Sequence, residues 1–132
     1  MQTMRGWLLW VAVAGACWMA WAQRDFPPEI IIDHFSDVAK IAPNRYHVEL
    51  ENERVRVLRA KLPGEARVPT HDHRSGLLVA ITDVHLRFRT VTGKARDLHV
   101  PKGETRWIDE ESHSEENLDI RECEFVFVES KR

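Results

Sequence analysis

From residue 47 onward, hydrophobic and polar side chains alternate. Val55 and Val57 alternate with Arg54 and Arg56, and Val84, Leu86, Phe88 and Thr90 alternate with His85, Arg87 and Arg89. A period of two over segments this short predicts strands with one face buried. Turn signals at Asn52, Pro63-Gly64, Ser75-Gly76, Asp83, Thr92-Gly93, Lys102-Gly103 and the acidic stretch near Ser112 punctuate the pattern. Their spacing of about 7 to 12 residues is the rhythm of an all-β sandwich or barrel. No long amphipathic helix follows residue 47, which argues against a βαβ architecture. Alternation places Val55, Val57, Leu78, Ala80, Leu86, Phe88, Leu98, Val100, Phe125 and Phe127 in the core, with Trp107 at least partly buried. Cys123 alternates with Phe125 and Phe127 and reads as a small core residue.

Ahead of the barrel the pattern differs. Arg5 precedes an apolar run from Trp7 to Trp21 that ends in Ala20-Trp21-Ala22, followed by the polar Gln23-Arg24-Asp25. A charged start, an apolar run and a small-x-small end describe a secretory signal peptide cleaved after Ala22. The run falls short of the roughly 20 residues that span a bilayer, so a retained anchor is the weaker reading. A lipoprotein site at Cys17 is weaker again. Residues 23–45 read as a tether: Phe26-Pro27-Pro28 favours extended chain, Ile30–Ile32 suggests a short strand, and Ser36–Lys40 suggests one helical turn before Pro43. The chain thus divides into a signal segment (1–22), an N-terminal tether (23–45) and a barrel domain (46–132).

Composition supports that division. All three Met and four of the five Trp lie within the first 22 residues, whose one charge is Arg5. The remainder carries 18 Lys and Arg against 21 Asp and Glu. A mildly acidic, interspersed surface argues against nucleic acid as a partner, and the proportions are those of a globular domain. Export implies a periplasmic or secreted protein, of bacterial type, with no stable membrane span once the signal is removed. Cys123 is then the only thiol, so no intramolecular disulfide forms.

The candidate chemistry lies in the histidines. His71 and His73 are two apart, so on a strand they point to one face with Cα atoms roughly 6.5 to 7 Å apart. His113 follows Gly103 by ten residues and precedes Asn117 by four. Glu115 would share the face of His113 on a regular strand, and Glu111 is a second nearby carboxylate; otherwise the acidic run Asp109–Asp119 reads as a solvated loop. His34, His47, His85 and His99 read as surface residues. Arg54, Arg56, Arg87 and Arg89 could form an anion-binding face, but a solvated outer sheet face has the same pattern.

These residues resemble the cupins, small double-stranded β-helix (jelly-roll) barrels. The first cupin motif is Gly, about five residues, His-x-His, three or four residues, Glu, six residues, Gly; Gly64, His71 and His73 match it with six residues intervening. Gly103, His113 and Asn117 match the second motif, one residue short. The likeness runs from about Tyr46 to Glu129. Leu77 stands at the first-motif Glu, Val84 at the closing Gly, and Asp109 and Glu111 where the second motif has Pro and Gly. The resemblance therefore implies an all-β cupin barrel behind a signal helix, with His71, His73 and His113 as ligands of a divalent transition metal (Fe, Zn, Mn, Ni or Cu). A small-molecule ligand in the barrel is implied too, with an oxygenase, isomerase or epimerase as one functional class. A non-catalytic binding or sensing module with a vestigial metal site is the other. A homodimer is among the partners considered.

Overall fold

The computed structural model describes residues 35–132; the expected signal segment (1–22) and the short strand expected at Ile30–Ile32 lie outside the described residues. A one-turn helix, α1 (Val38–Ile41), precedes nine strands: β1 (Tyr46–Glu51), β2 (Val55–Leu62), β3 (Arg67–His73), β4 (Gly76–Ala80), β5 (Val84–Thr90), β6 (Ala95–Val100), β7 (Thr105–Ile108), β8 (Glu111–Asn117) and β9 (Cys123–Ser130). They form two antiparallel sheets, β1-β2-β9-β4-β7 and β3-β8-β5-β6. The inner faces supply one core, from Leu58, Leu62, Leu78, Val84, Leu86, Phe88, Val100, Phe125 and Phe127 among others. Val38 and Ala42, ahead of β1, belong to the same core.

Most turn signals fall between strands. The Asn52 side chain accepts hydrogen bonds from the backbone N–H groups of Arg54 and Val55 at 2.8 and 3.0 Å, closing the β1–β2 turn. Gly64 is required by close approach, because a Cβ there would lie 2.0 Å from the Ile120 carbonyl oxygen. Gly103 has φ +83°, the left-handed region that glycine enters without steric cost.

Four expectations are corrected. In β2 the phase is reversed: Arg56, Leu58, Ala60 and Leu62 point inward, while Val55 and Val57 are only half-buried. Trp107 is 57% exposed, because Ile108 and not Trp107 is the inward residue of β7. The acidic stretch is no loop, since Glu111–Asn117 is a strand whose His113, Glu115 and Asn117 face inward. Arg56 does not lie on a solvated outer face with the other arginines: buried, it makes a two-pronged pair with Asp37, the N-cap of α1, at 2.9 and 3.0 Å.

Candidate metal centre

Strand pairing builds the site. β3 carries His71 and His73 on its inner face, β8 carries His113 and Glu115 on its own, and the register sets His71 directly opposite His113. All four side chains are buried. The His113 ring lies 5.2 Å from that of His71 and 4.7 Å from that of His73, and it stacks on Phe88 at 4.2 Å. Candidate ligand atoms of His71, His113 and Glu115 all lie within 4.8 Å of one another.

Each imidazole has one nitrogen committed. His71 Nδ1–H donates to the Pro69 carbonyl at 2.8 Å, His73 Nδ1–H to the Arg74 carbonyl at 3.0 Å, and His113 Nδ1–H to Glu111 Oε2 at 2.8 Å. With Nδ1 protonated, Nε2 keeps its lone pair, the arrangement that outer partners impose on metal-binding histidines. His73 Nε2 is buried without any hydrogen-bond partner. That acceptor is free to take a cation.

The two carboxylates divide. Glu115 is 4% exposed and accepts a hydrogen bond from the Tyr46 hydroxyl. Glu111 is half-buried behind His113, held from outside by Arg96 at 2.7 Å. A second compact grouping is His73, Glu111 and His113; the two groupings share His113, and His71 and His73 do not fall together in either. Glu111 already holds His113 and Arg96 through Oε2 and is partly exposed, whereas Glu115 is buried beside His71 and His113, which makes Glu115 the better-placed donor. The signal for it was present in the sequence as the two-residue spacing from His113.

Electrostatics follow burial. Desolvation lowers the pKa of His71 and His73, and it holds His113 down at about 4 despite Glu111. The same loss of water pushes Glu115 up to about 7. Burial raises the Cys123 thiol to about 12, which suits an inert core residue.

Other motif residues take different roles. Leu77 is on the outer face of its sheet, paired with Val128 and Trp107. With four intervening residues instead of three, the first-motif carboxylate position is Leu78, which does line the chamber between the sheets. Asn117 is a brace. Its Nδ2 donates to the carbonyls of Leu62, Pro63 and Arg121 and its Oδ1 accepts from Asp119 N–H, tying the β2–β3 turn to the β8–β9 loop. His47, His85 and His99 are exposed, and His34 lies outside the described residues.

No protein-family sequence model and no curated protein matches the chain. Solved structures do. A cupin domain protein from Bordetella pertussis Tohama I is 26% identical, with 66% of this chain and 92% of that one covered, at a TM-score of 0.60. An RmlC-like cupin family protein with a double-stranded β-helix fold from Methanocaldococcus jannaschii is 17% identical, covering 64% and 79%, at 0.50. The polyketide cyclase RemF from Streptomyces resistomycificus is 15% identical, covering 66% and 64%, also at 0.50. Two antiparallel sheets with histidines facing inward, together with these likenesses, show that the chain has the double-stranded β-helix fold of the cupin domain proteins.

Proposed function

We propose that this chain is an exported cupin that holds one divalent transition ion (Fe, Zn, Mn, Ni or Cu) on His71, His73, His113 and Glu115. The supporting observation is the donor set: three imidazoles whose Nδ1 atoms are spoken for, a buried carboxylate, and the unpartnered Nε2 of His73. Such an ion polarises a bound oxygen group or activates water or O₂. The chain's own residues orient the donors and exclude water. Tyr46 holds one oxygen of Glu115, Glu111 and Arg96 fix the ring plane of His113, and Phe88 and Phe127 pack against the rings. An oxygenase or isomerase is the catalytic form of this reading, and the fold accommodates an enzyme in the polyketide cyclase.

A non-catalytic binding or sensing cupin is the second reading, and one observation favours it. Among the described residues, Tyr46, His71, His73, His113 and Glu115 are the polar side chains lining the chamber, and none of them is an acid, base or nucleophile separate from the donor set and the tyrosine that holds it. Metal analysis of the purified protein tests the shared premise. About one ion per chain is expected, with uptake falling at least tenfold in His73→Ala. A parent that takes up no Zn, Mn or Fe refutes the site.

A further inference from the structure

We propose that His85 and His99 form a second metal site, on the outside of the barrel, that takes Cu(II). The two residues stand directly opposite each other across the β5–β6 hairpin, and their ring centroids are 5.5 Å apart. Both are exposed on the outer face of the four-stranded sheet, whereas Val84, Leu86, Leu98 and Val100 beside them are buried in the core. β6 is the edge strand of that sheet, so no further strand pairs with it on the side away from β5.

Backbone geometry brings the two rings together. The His85 carbonyl accepts from Leu118 N–H at 2.9 Å, and the His99 carbonyl accepts from Arg106 Nη2 at 3.5 Å. Each carbonyl therefore points away from the other strand, which makes His85 and His99 a non-hydrogen-bonded antiparallel pair. In such pairs the Cα atoms are about 4.5 Å apart, against about 5.5 Å in hydrogen-bonded ones, and the side chains stand closest. An ion about 2.0 Å from one nitrogen of each ring, with the two bonds at about 90° to 109°, would set the ring centres about 4.5 to 5.2 Å apart. The observed 5.5 Å needs only a small side-chain adjustment of two exposed rings.

Neither ring is engaged elsewhere. Among the described residues neither imidazole makes a hydrogen bond, and Asp97, two residues from His99 on the same face, is held by Arg87 at 2.8 and 2.9 Å. Both nitrogens of each ring are thus available, unlike those of the chamber histidines, whose Nδ1 atoms are all bonded. Two such imidazoles form a chelate, and Cu(II) heads the affinity order of the first-row divalent ions at nitrogen sites. Water completes the coordination, so this ion is exposed and exchangeable. Leu86, next to His85, lines the chamber from the other side of the same strand. The outer pair therefore shares no donor with the chamber and does not depend on the metal reading above.

The test titrates the full chain with Cu(II)–iminodiacetate, whose ligand fills three positions and leaves adjacent ones for a pair of imidazoles. His85→Ala and His99→Ala should each lose at least tenfold in affinity, because either leaves a single imidazole. His47→Ala, at an exposed histidine of β1, and His73→Ala, in the chamber, should bind the probe as the parent does. Pulsed electron paramagnetic resonance should count two coordinated imidazoles in the loaded parent and no more than one in either outer variant. Unchanged affinity in both outer variants, or a single imidazole in the parent, overturns the site. Loss of the probe in His73→Ala alone assigns the copper to the chamber and overturns it too. Both outer side chains are exposed, so the alanine variants should fold; if either does not, the imidazole count of the parent and the binding by His73→Ala decide.

Discussion

His73 shows how much one side chain's surroundings decide. Its Nδ1 has a carbonyl acceptor and its Nε2 has nothing, so removing the ring removes a donor without breaking any other contact of that nitrogen. Leu77→Glu, which the motif arithmetic suggests as a restored ligand, is expected to leave Zn affinity within a factor of two, because position 77 faces away from the chamber. Titrating parent, Leu77→Glu and His73→Ala with Zn separates the positions; a gain with Leu77→Glu would contradict the register. Glu115 gives a pH prediction for the metal-free protein. Its folded pKa, about 7, is above the ordinary 4.5, so its favourable contribution is complete below about 4.5 and is lost as pH rises through 7. Glu115→Gln has no such loss. The parent should weaken relative to the variant between those pH values, by at most about 3 kcal/mol, as read from urea midpoints. His113 works the other way: with its pKa lowered from 6.5 to about 4, its contribution is present above 6.5 and is lost as pH falls toward 4. Both carboxylate candidates and all three histidines were readable from residue spacing. Their separation into donor and outer support was not, because burial and the second hydrogen bond of each ring come from other strands.

Among the elements, β2 and β9 show where alternation suffices and where it fails. β9 presents Cys123, Phe125 and Phe127 inward and charged or β-branched residues outward, ending with the buried Glu129 near Arg56. Its phase was legible, and Phe125→Ala should cost about 3 to 5 kcal/mol in chemical denaturation. A cost below 1 kcal/mol would mean that the ring is not packed as described. β2 is apolar on both faces: Leu58, Ala60 and Leu62 inside, Val55 and Val57 outside. Period two is then satisfied by either phase, and the one arginine that breaks the inner row, Arg56, is neutralised by Asp37 rather than by water. The same ambiguity hid Trp107, which belongs to the outer row. β8 fails differently, since an acidic composition suggests solvent while its inward residues are His113, Glu115 and Asn117. Asn117→Ala should destabilise by about 1 to 3 kcal/mol, because the carbonyls of Leu62, Pro63 and Arg121 and the Asp119 amide lose their partner together.

At the scale of the molecule, residues 1–22, proposed as an export signal, and the barrel are tested separately. Exported material is expected to begin at Gln23, and N-terminal sequencing that returns Met1 would remove both the signal reading and the single-thiol inference. For the barrel, the sequence by itself determined the all-β class, most turns, the presence of a core and the pairing of His71 with His73, because each depends on residues within a few positions of one another. Only the tertiary structure decided which face of β2 and β7 is the core, that Glu115 faces the histidines while position 77 faces outward, that α1 forms one wall of the chamber, and that apolar residues of five strands line up on one outer face. Those outcomes depend on register between segments tens of residues apart, and a one-residue slip would exchange every inward side chain for its outward neighbour.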